Sequence, residues 1–277
     1  MTPVTACVCC GATARRVLWR EGSHRAVACA SCGLTFLDPL PDIAIDELYG
    51  REYFTTNYLA GAGARTAFFR ERLLELERLK PPGTLLDVGA GVGLFLDEAR
   101  RRGWRVSGVE PSVFAARHAR EVLGLDVRPV ALENTDLPAG GFDVVTAWDV
   151  LAHVRDPASL LRRAGAALAP GGVLAVKTPN WPPGCFTLAR WIGRATGRSA
   201  YFLHVPRQQY FFTEATLRRL LANTGFRILR CEHPGEAATG TALHSDNALK
   251  NFAAVRLERL MTRRRGPLSL LVYAVRA

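Results

Sequence analysis

Between Thr84 and Leu94 the chain reads TLLDVGAGVGL: a short apolar run closed by an acid, three glycines at alternate positions, and the start of an apolar helical pattern. Gly89, Gly91 and Gly93 allow the backbone to turn off a strand and into a helix, and keep side chains away from whatever lies above the turn. Beyond it, strand-like runs at 84–88, 105–109, 127–131, 142–148, 173–177, 226–230 and 268–275 alternate with helical periodicity at 94–102, 113–123, 158–168 and 213–223, the last with Thr213 as cap. A further helix is expected at 65–79, ended by Lys80-Pro81-Pro82-Gly83. This order predicts an α/β fold, a mostly parallel sheet with helices on both faces. Ligands of such sheets lie beyond the carboxyl ends of the strands.

The glycine turn is neither a dinucleotide fingerprint, which needs G-x-G-x-x-G, nor a P-loop, which needs G-K-[ST]. What stands there is D-x-G-x-G-x-G, with Asp87 at the strand end. An acid would repel a pyrophosphate but attract an ammonium or sulfonium, so the sign of the charge favours a cationic nucleoside, S-adenosylmethionine. Glu110 ends the second strand, 17 residues after Gly93, where a carboxylate can accept the hydroxyls of a ribose.

Residues 83–178 resemble the class I S-adenosylmethionine-dependent methyltransferases, a Rossmann-like fold, through LLDVGAGVGLFL, VEPS, FDVVTAWDVLAHVRDP and LAPGGVLAVKTPN. The whole chain is most similar to a branch with an N-terminal cysteine ribbon, a Tyr53-Phe54 pair and a Tyr210-Phe211-Phe212-Thr213 segment. Members of that branch typically methylate small molecules: sugars, quinones, and lipid or natural-product precursors. The resemblance implies that Gly89, Ala90, Gly91 and Gly93 face the methionyl part of the cofactor and that Asp87 holds its ammonium. It further implies that Glu110 binds the ribose, that Pro111, Ser112, Ala131 and Leu132 border the adenine, and that Trp148 and Asp149 stand near the methyl group.

Methyl transfer from a sulfonium is an in-line displacement, so alignment and exclusion of water come first, and a base is needed where the nucleophile carries a proton. His153 is the first candidate base, since its ordinary pKa of about 6.5 suits proton removal near neutrality. The alternative is that His153 only shapes the pocket. The family commonly writes Glu-His here, whereas this chain has Ala152-His153, which removes an orienting carboxylate. His204 and Tyr210 are further catalytic candidates from the insertion at 180–212, read as a lid over the acceptor. Arg190, Arg194 and Arg198 in that insertion share a helical spacing, which suits either a solvated face or an anionic, lipid-linked or membrane contact.

Five of the seven cysteines fall in the first 32 residues. Cys7 and Cys10, then Cys29 and Cys32, give C-x2-C twice across an 18-residue gap, the spacing of a structural zinc ribbon. Cys9 and His24 are alternative ligands, and a disulfide framework suits a reducing compartment poorly.

Three units follow: a zinc-ribbon-like domain at 1–38, an aromatic and helical linker at 39–82, and the methyltransferase domain at 83–277, which includes a basic helix expected at 240–266. The chain has 277 residues, 48% of them hydrophobic, enough for a sizeable core. No apolar run is long enough to span a membrane and the N-terminus lacks a secretory pattern, so the expected location is cytoplasmic, with peripheral membrane contact as a variant. The net charge of +11 is scattered and rests almost wholly on Arg. It suits an RNA-modifying enzyme, but Asp149-Val150-Leu151-Ala152 is not the D/N-P-P-Y/F motif of base-amine methylation, so a small-molecule acceptor is favoured over nucleic acid. A non-catalytic cofactor-binding partner subunit is the other rival. Oligomeric state is not legible.

Overall fold

A computed structural model describes residues 2–181, 184–196, 203–234 and 269–277, with the backbone alone at 192–196. The expected basic helix at 240–266, Arg198 and the side chain of Arg194 lie outside the described residues.

The cysteine-rich segment forms strands β1 (Arg15–Glu21), β2 (His24–Cys29) and β3 (Thr35–Leu37), an antiparallel ribbon. Two short helices, α1 (Ile45–Leu48) and α2 (Arg51–Phe54), run into a π-helical turn at Thr55–Leu59 and then α3 (Ala62–Leu79). There follow β4 (Thr84–Val88), α4 (Leu94–Arg101), β5 (Arg105–Val109), α5 (Val113–Glu121), β6 (Val127–Arg128), β7 (Phe142–Trp148), α6 (Pro157–Ala167), β8 (Leu168–Pro179) and α7 (Cys185–Thr196). The described chain closes with β9 (Tyr210–Phe211), α8 (Glu214–Asn223), β10 (Phe226–Glu232) and β11 (Ser269–Arg276).

The seven-stranded sheet runs β10-β11-β8-β7-β4-β5-β6, with β11 antiparallel to both neighbours and the five strands from β8 to β6 paired in parallel. Its central strands read as continuous apolar runs because both faces are covered. Leu86 and Val145 enter one core, while Leu85 and Val144, one residue away, enter the other. The third strand stops at Arg128, shorter than the 127–131 expected, because Pro129 has no N–H to continue the ladder. Helix starts follow local chemistry: the Asp156 carboxylate accepts the Ser159 N–H at α6, and Thr213 and Thr216 form a reciprocal cap at α8.

The ribbon is not a separate bead on the chain. β9, more than 170 residues further along the chain, pairs with β3 and completes a four-stranded sheet β1-β2-β3-β9. Val27, Phe36 and Leu37 share one apolar core with Leu160, Leu161 and Leu217. The 1–38 unit expected from the sequence is therefore completed by residues more than 170 positions away.

Candidate active site

Every strand-end residue singled out from the sequence lies along the carboxyl edge of the sheet. Asp87 is 1% exposed, and its carboxylate accepts the Thr146 hydroxyl at 2.6 Å. Burial, with Glu110 as a smaller contributor, pushes Asp87 up to about 8. A carboxyl strained in this way is a ready receptor for a cation.

The glycines turn as expected, all three with positive φ. Gly89 and Ala90 donate their N–H groups to Val109 O, and Gly91 donates to Glu110 Oε2 at 2.8 Å. Glu110 is buried and also accepts the Ser112 N–H at 2.8 Å; burial raises its pKa. Each of its oxygens so holds one backbone donor and keeps capacity for a ribose hydroxyl. Ser112 caps α5 and donates its hydroxyl to Tyr49 O at 2.7 Å. Pro111 and Ala131 are half-buried and Leu132 is buried beside them.

Between these edges opens a pocket lined by Tyr58, Arg65, Phe68, Asp87, Trp148 and Lys177, among others. Sequence reasoning missed two of its polar residues. Arg65 is 9% exposed, stacks 4.0 Å over the Tyr58 ring, and donates Nε–H to Asn57 O. Among the described residues it has no carboxylate partner. Nothing in the sequence separates it from the other arginines, because only the fold of α3 brings it opposite Asp87. Lys177, on β8, is buried and pairs with Asp149 at 2.6 Å; it is one of only three lysines in an Arg-rich chain. Asp149 takes a left-handed φ of 58° and leaves Oδ1 buried without a partner among the described residues. Trp148 is boxed edge-on by Phe68 and Phe95.

The segment packed over the glycine turn is the aromatic run Tyr49–Tyr58. A side-chain carbon at Gly91 would stand 3.4 Å from the Phe54 ring. Phe54 and Val92 form a small core with Tyr49, Tyr53 and Tyr58 packed on it. The insertion leans on the ribbon: Trp181 and Phe186 both meet Phe211 edge-on, at 5.1 and 5.0 Å. Its last stretch closes on the aromatic run, with Arg207 over the Tyr53 ring at 5.1 Å.

The three catalytic candidates part company. His153 hydrogen-bonds through Nδ1 to Arg207 O at 2.9 Å. Since a carbonyl only accepts, Nδ1 carries the proton and Nε2 is left basic. Burial holds its pKa below the ordinary imidazole range, with the Arg207 carbonyl and Asp149 acting against this and Arg207 and Lys177 acting with it. His204 is exposed, in a left-handed conformation with φ 54°. Tyr210 is fully buried on β9, its hydroxyl donated to Arg155 O at 2.7 Å and its ring stacked on Phe212. Tyr210 thus belongs to the seam between ribbon and domain, which takes its hydroxyl out of the pocket.

In the ribbon, the Sγ atoms of Cys7, Cys10, Cys29 and Cys32 lie within 4.8 Å of one another. Cys7–Cys32 is 3.6 Å and Cys10–Cys29 3.5 Å, too long for disulfides and close to the roughly 3.8 Å edge of a tetrahedron with ~2.3 Å metal–sulfur bonds. Cys9 turns away toward Thr216 O at 3.7 Å, and His24 is not among the cluster. The donor set fits a closed four-thiolate site.

Comparison with known proteins agrees. The methyltransferase-domain family matches residues 62–230. A ubiquinone biosynthesis O-methyltransferase of Bradyrhizobium sp. (strain ORS 278) is 36% identical over 132 residues, 43% of this chain and 52% of that one. One of Xanthomonas axonopodis pv. citri (strain 306) is 31% identical over 162 residues, 54% and 66% of the two chains. The chain therefore spans about half the length of the first relative. Among solved structures, an S-adenosylmethionine dependent methyltransferase from Mesorhizobium loti superposes with a TM-score of 0.50 at 23% identity, over 73% of this chain and 96% of that one. Geranyl diphosphate C-methyltransferase from Streptomyces coelicolor A3(2) gives 0.56 at 20% identity, over 75% and 77%. These likenesses are of fold. With a glycine turn, a strand-end acid and a sheet order of this kind, and with more than half its length matched, the chain belongs to the methyltransferase-domain family.

Proposed function

We propose that the protein transfers a methyl group from S-adenosylmethionine to an oxygen of a small, flat, hydroxylated acceptor of the quinone-precursor kind. The observation that carries this reading is the pocket's composition: two acids, Asp87 and Asp149, a cation with no carboxylate partner among the described residues, Arg65, and a wall of aromatic rings. The bound cofactor supplies an electrophilic methyl on a positively charged sulfur. Asp87 and the free Oδ1 of Asp149 hold positive charge, Arg65 meets the methionyl carboxylate, and Glu110 takes the ribose hydroxyls. Pro111, Ser112, Ala131 and Leu132 border the adenine.

Tyr58 lines the pocket and, with Tyr49 and Tyr53 packed on the same small core, excludes water from the reaction line. His153 Nε2 takes the proton of an acceptor hydroxyl. The names of the relatives favour an oxygen acceptor related to a quinone. The four cysteines hold a structural Zn2+ that supplies rigidity and no chemistry to the transfer.

The test is calorimetric titration with S-adenosylhomocysteine, followed by methyl transfer to catechols bearing short isoprenoid tails, read by mass spectrometry. Micromolar binding and a mono-O-methyl product are expected. Failure to bind the homocysteine product would refute the cofactor assignment.

A further inference from the structure

The Lys177–Asp149 pair is half satisfied on both sides. Lys177 is 4% exposed at the side chain, yet its three N–H donors meet a single acceptor among the described residues, Asp149 Oδ2. The Phe68 ring lies 5.9 Å from Nζ and offers only its π face. Buried donors without acceptors are costly, and so is a buried charge pair left partly unbonded. The orphaned Asp149 Oδ1 is the matching deficit.

Both residues line the cofactor pocket. They are also held together by backbone: Trp148 and Lys177 are register partners, and Asp149 N–H donates to Lys177 O. The arrangement is rigid, buried and short of one cation and one anion. A sulfonium facing an oxyanion has that pattern of charge.

Resting on the function proposed above, we infer that Lys177 is the specificity-determining cation for the acceptor, binding the ionised oxygen of an acidic hydroxyl, a phenol or enol, beside the cofactor's methyl group. Aliphatic alcohols, which do not ionise near neutrality, are excluded. The hydroxyl proton leaves to His153 Nε2. The oxygen's electron pair then forms the bond to the methyl carbon as the carbon–sulfur bond breaks, its electrons staying on sulfur. Charge vanishes in that step, so Lys177 does not lower the barrier by holding the oxyanion. It selects the acceptor and sets the fraction bound in the reactive form.

4-Nitrocatechol, whose ionised form absorbs visible light, is the probe. Wild-type protein is first saturated with S-adenosylhomocysteine, whose sulfur is uncharged, so that any preference for the anion comes from the protein. The bound chromophore should ionise at least about one pH unit below the free compound, a tenfold preference for phenolate. Lys177→Gln should lose that shift and about tenfold of the phenolate affinity, and Lys177→Arg should keep most of both. A chromophore that does not bind, or that titrates at its free value on wild type, overturns the inference without any variant. An unchanged shift in Lys177→Gln with only a lowered melting temperature also overturns it, by showing that Lys177 merely neutralises Asp149. Failure of S-adenosylhomocysteine to bind wild type would instead strike the cofactor reading.

Discussion

The carbonyl of Gln209 accepts the N–H of Leu37 at 2.8 Å, and this bond joins the cysteine ribbon to the loop that orients the candidate base. Gln209 N–H donates to Ala152 O, its side-chain amide donates to His153 O, and two residues earlier Arg207 O takes the His153 Nδ1 proton. The cysteine cluster of the ribbon and the geometry at His153 are so connected through one strand. Removing the metal by chelation, or by Cys29→Ser with Cys32→Ser, should release about one zinc per chain. Amide exchange at 203–212 should quicken by about tenfold or more, while S-adenosylhomocysteine still binds through the β4–α4 turn. Metal analysis and exchange mass spectrometry check this; no zinc in the wild type would remove the metal.

Proton release on cofactor binding follows from Asp87. Burial raises its folded-state value to about 8 from 3.8. The neutral acid is therefore the stable form in the empty pocket, and its contribution to stability is lost as pH rises through 8. A cationic ligand demands the carboxylate, so binding at pH 6.5 should expel about one proton, and affinity should rise toward pH 8 by up to about tenfold per unit. Calorimetry in buffers of different ionisation enthalpy counts the proton. Asp87→Asn should abolish the release and weaken binding.

Gly93 is a structural glycine. Its φ is 88°, and a methyl there would stand 2.6 Å from Leu125 Cδ1 and 3.0 Å from Ala119 Cβ. Gly93→Ala should cost about 1–3 kcal/mol, seen as a lower denaturation midpoint. Gly91→Ala, whose methyl meets Phe54 at 3.4 Å and Tyr58 at 3.7 Å without a clash, carries the left-handed strain alone, should cost about 1 kcal/mol, and should reveal itself also in cofactor affinity.

His153 should be neutral at pH 7, because burial keeps it below the ordinary imidazole range. With cofactor and acceptor saturating, kcat is expected to be flat from pH 7 to 8 and to fall on the acid side as Nε2 takes a proton. His153→Gln should lower kcat by about 10²–10⁴-fold if Nε2 is the base, with S-adenosylhomocysteine affinity little changed. Steady-state rates across pH on both proteins decide it.

The order of strands and helices, the strand-end acids Asp87 and Glu110, the glycine turn and the four cysteines were all legible in the amino-acid sequence. Each rests on local chemistry: periodicity of burial, backbone freedom, or ligand spacing inside one short segment. The residues that only the tertiary structure supplied are of another kind. Arg65 and Lys177 are unexceptional in sequence and become site residues because α3 and the end of β8 deliver them to one pocket. Tyr210 read as a catalytic candidate and is a seam residue, since β9 pairs with β3 across 170 positions of chain. The cover that the aromatic run at 49–58 forms over the glycine turn likewise came from packing alone. Contacts distant in sequence depend on how layers pack, and packing leaves no periodic trace in the segments it joins.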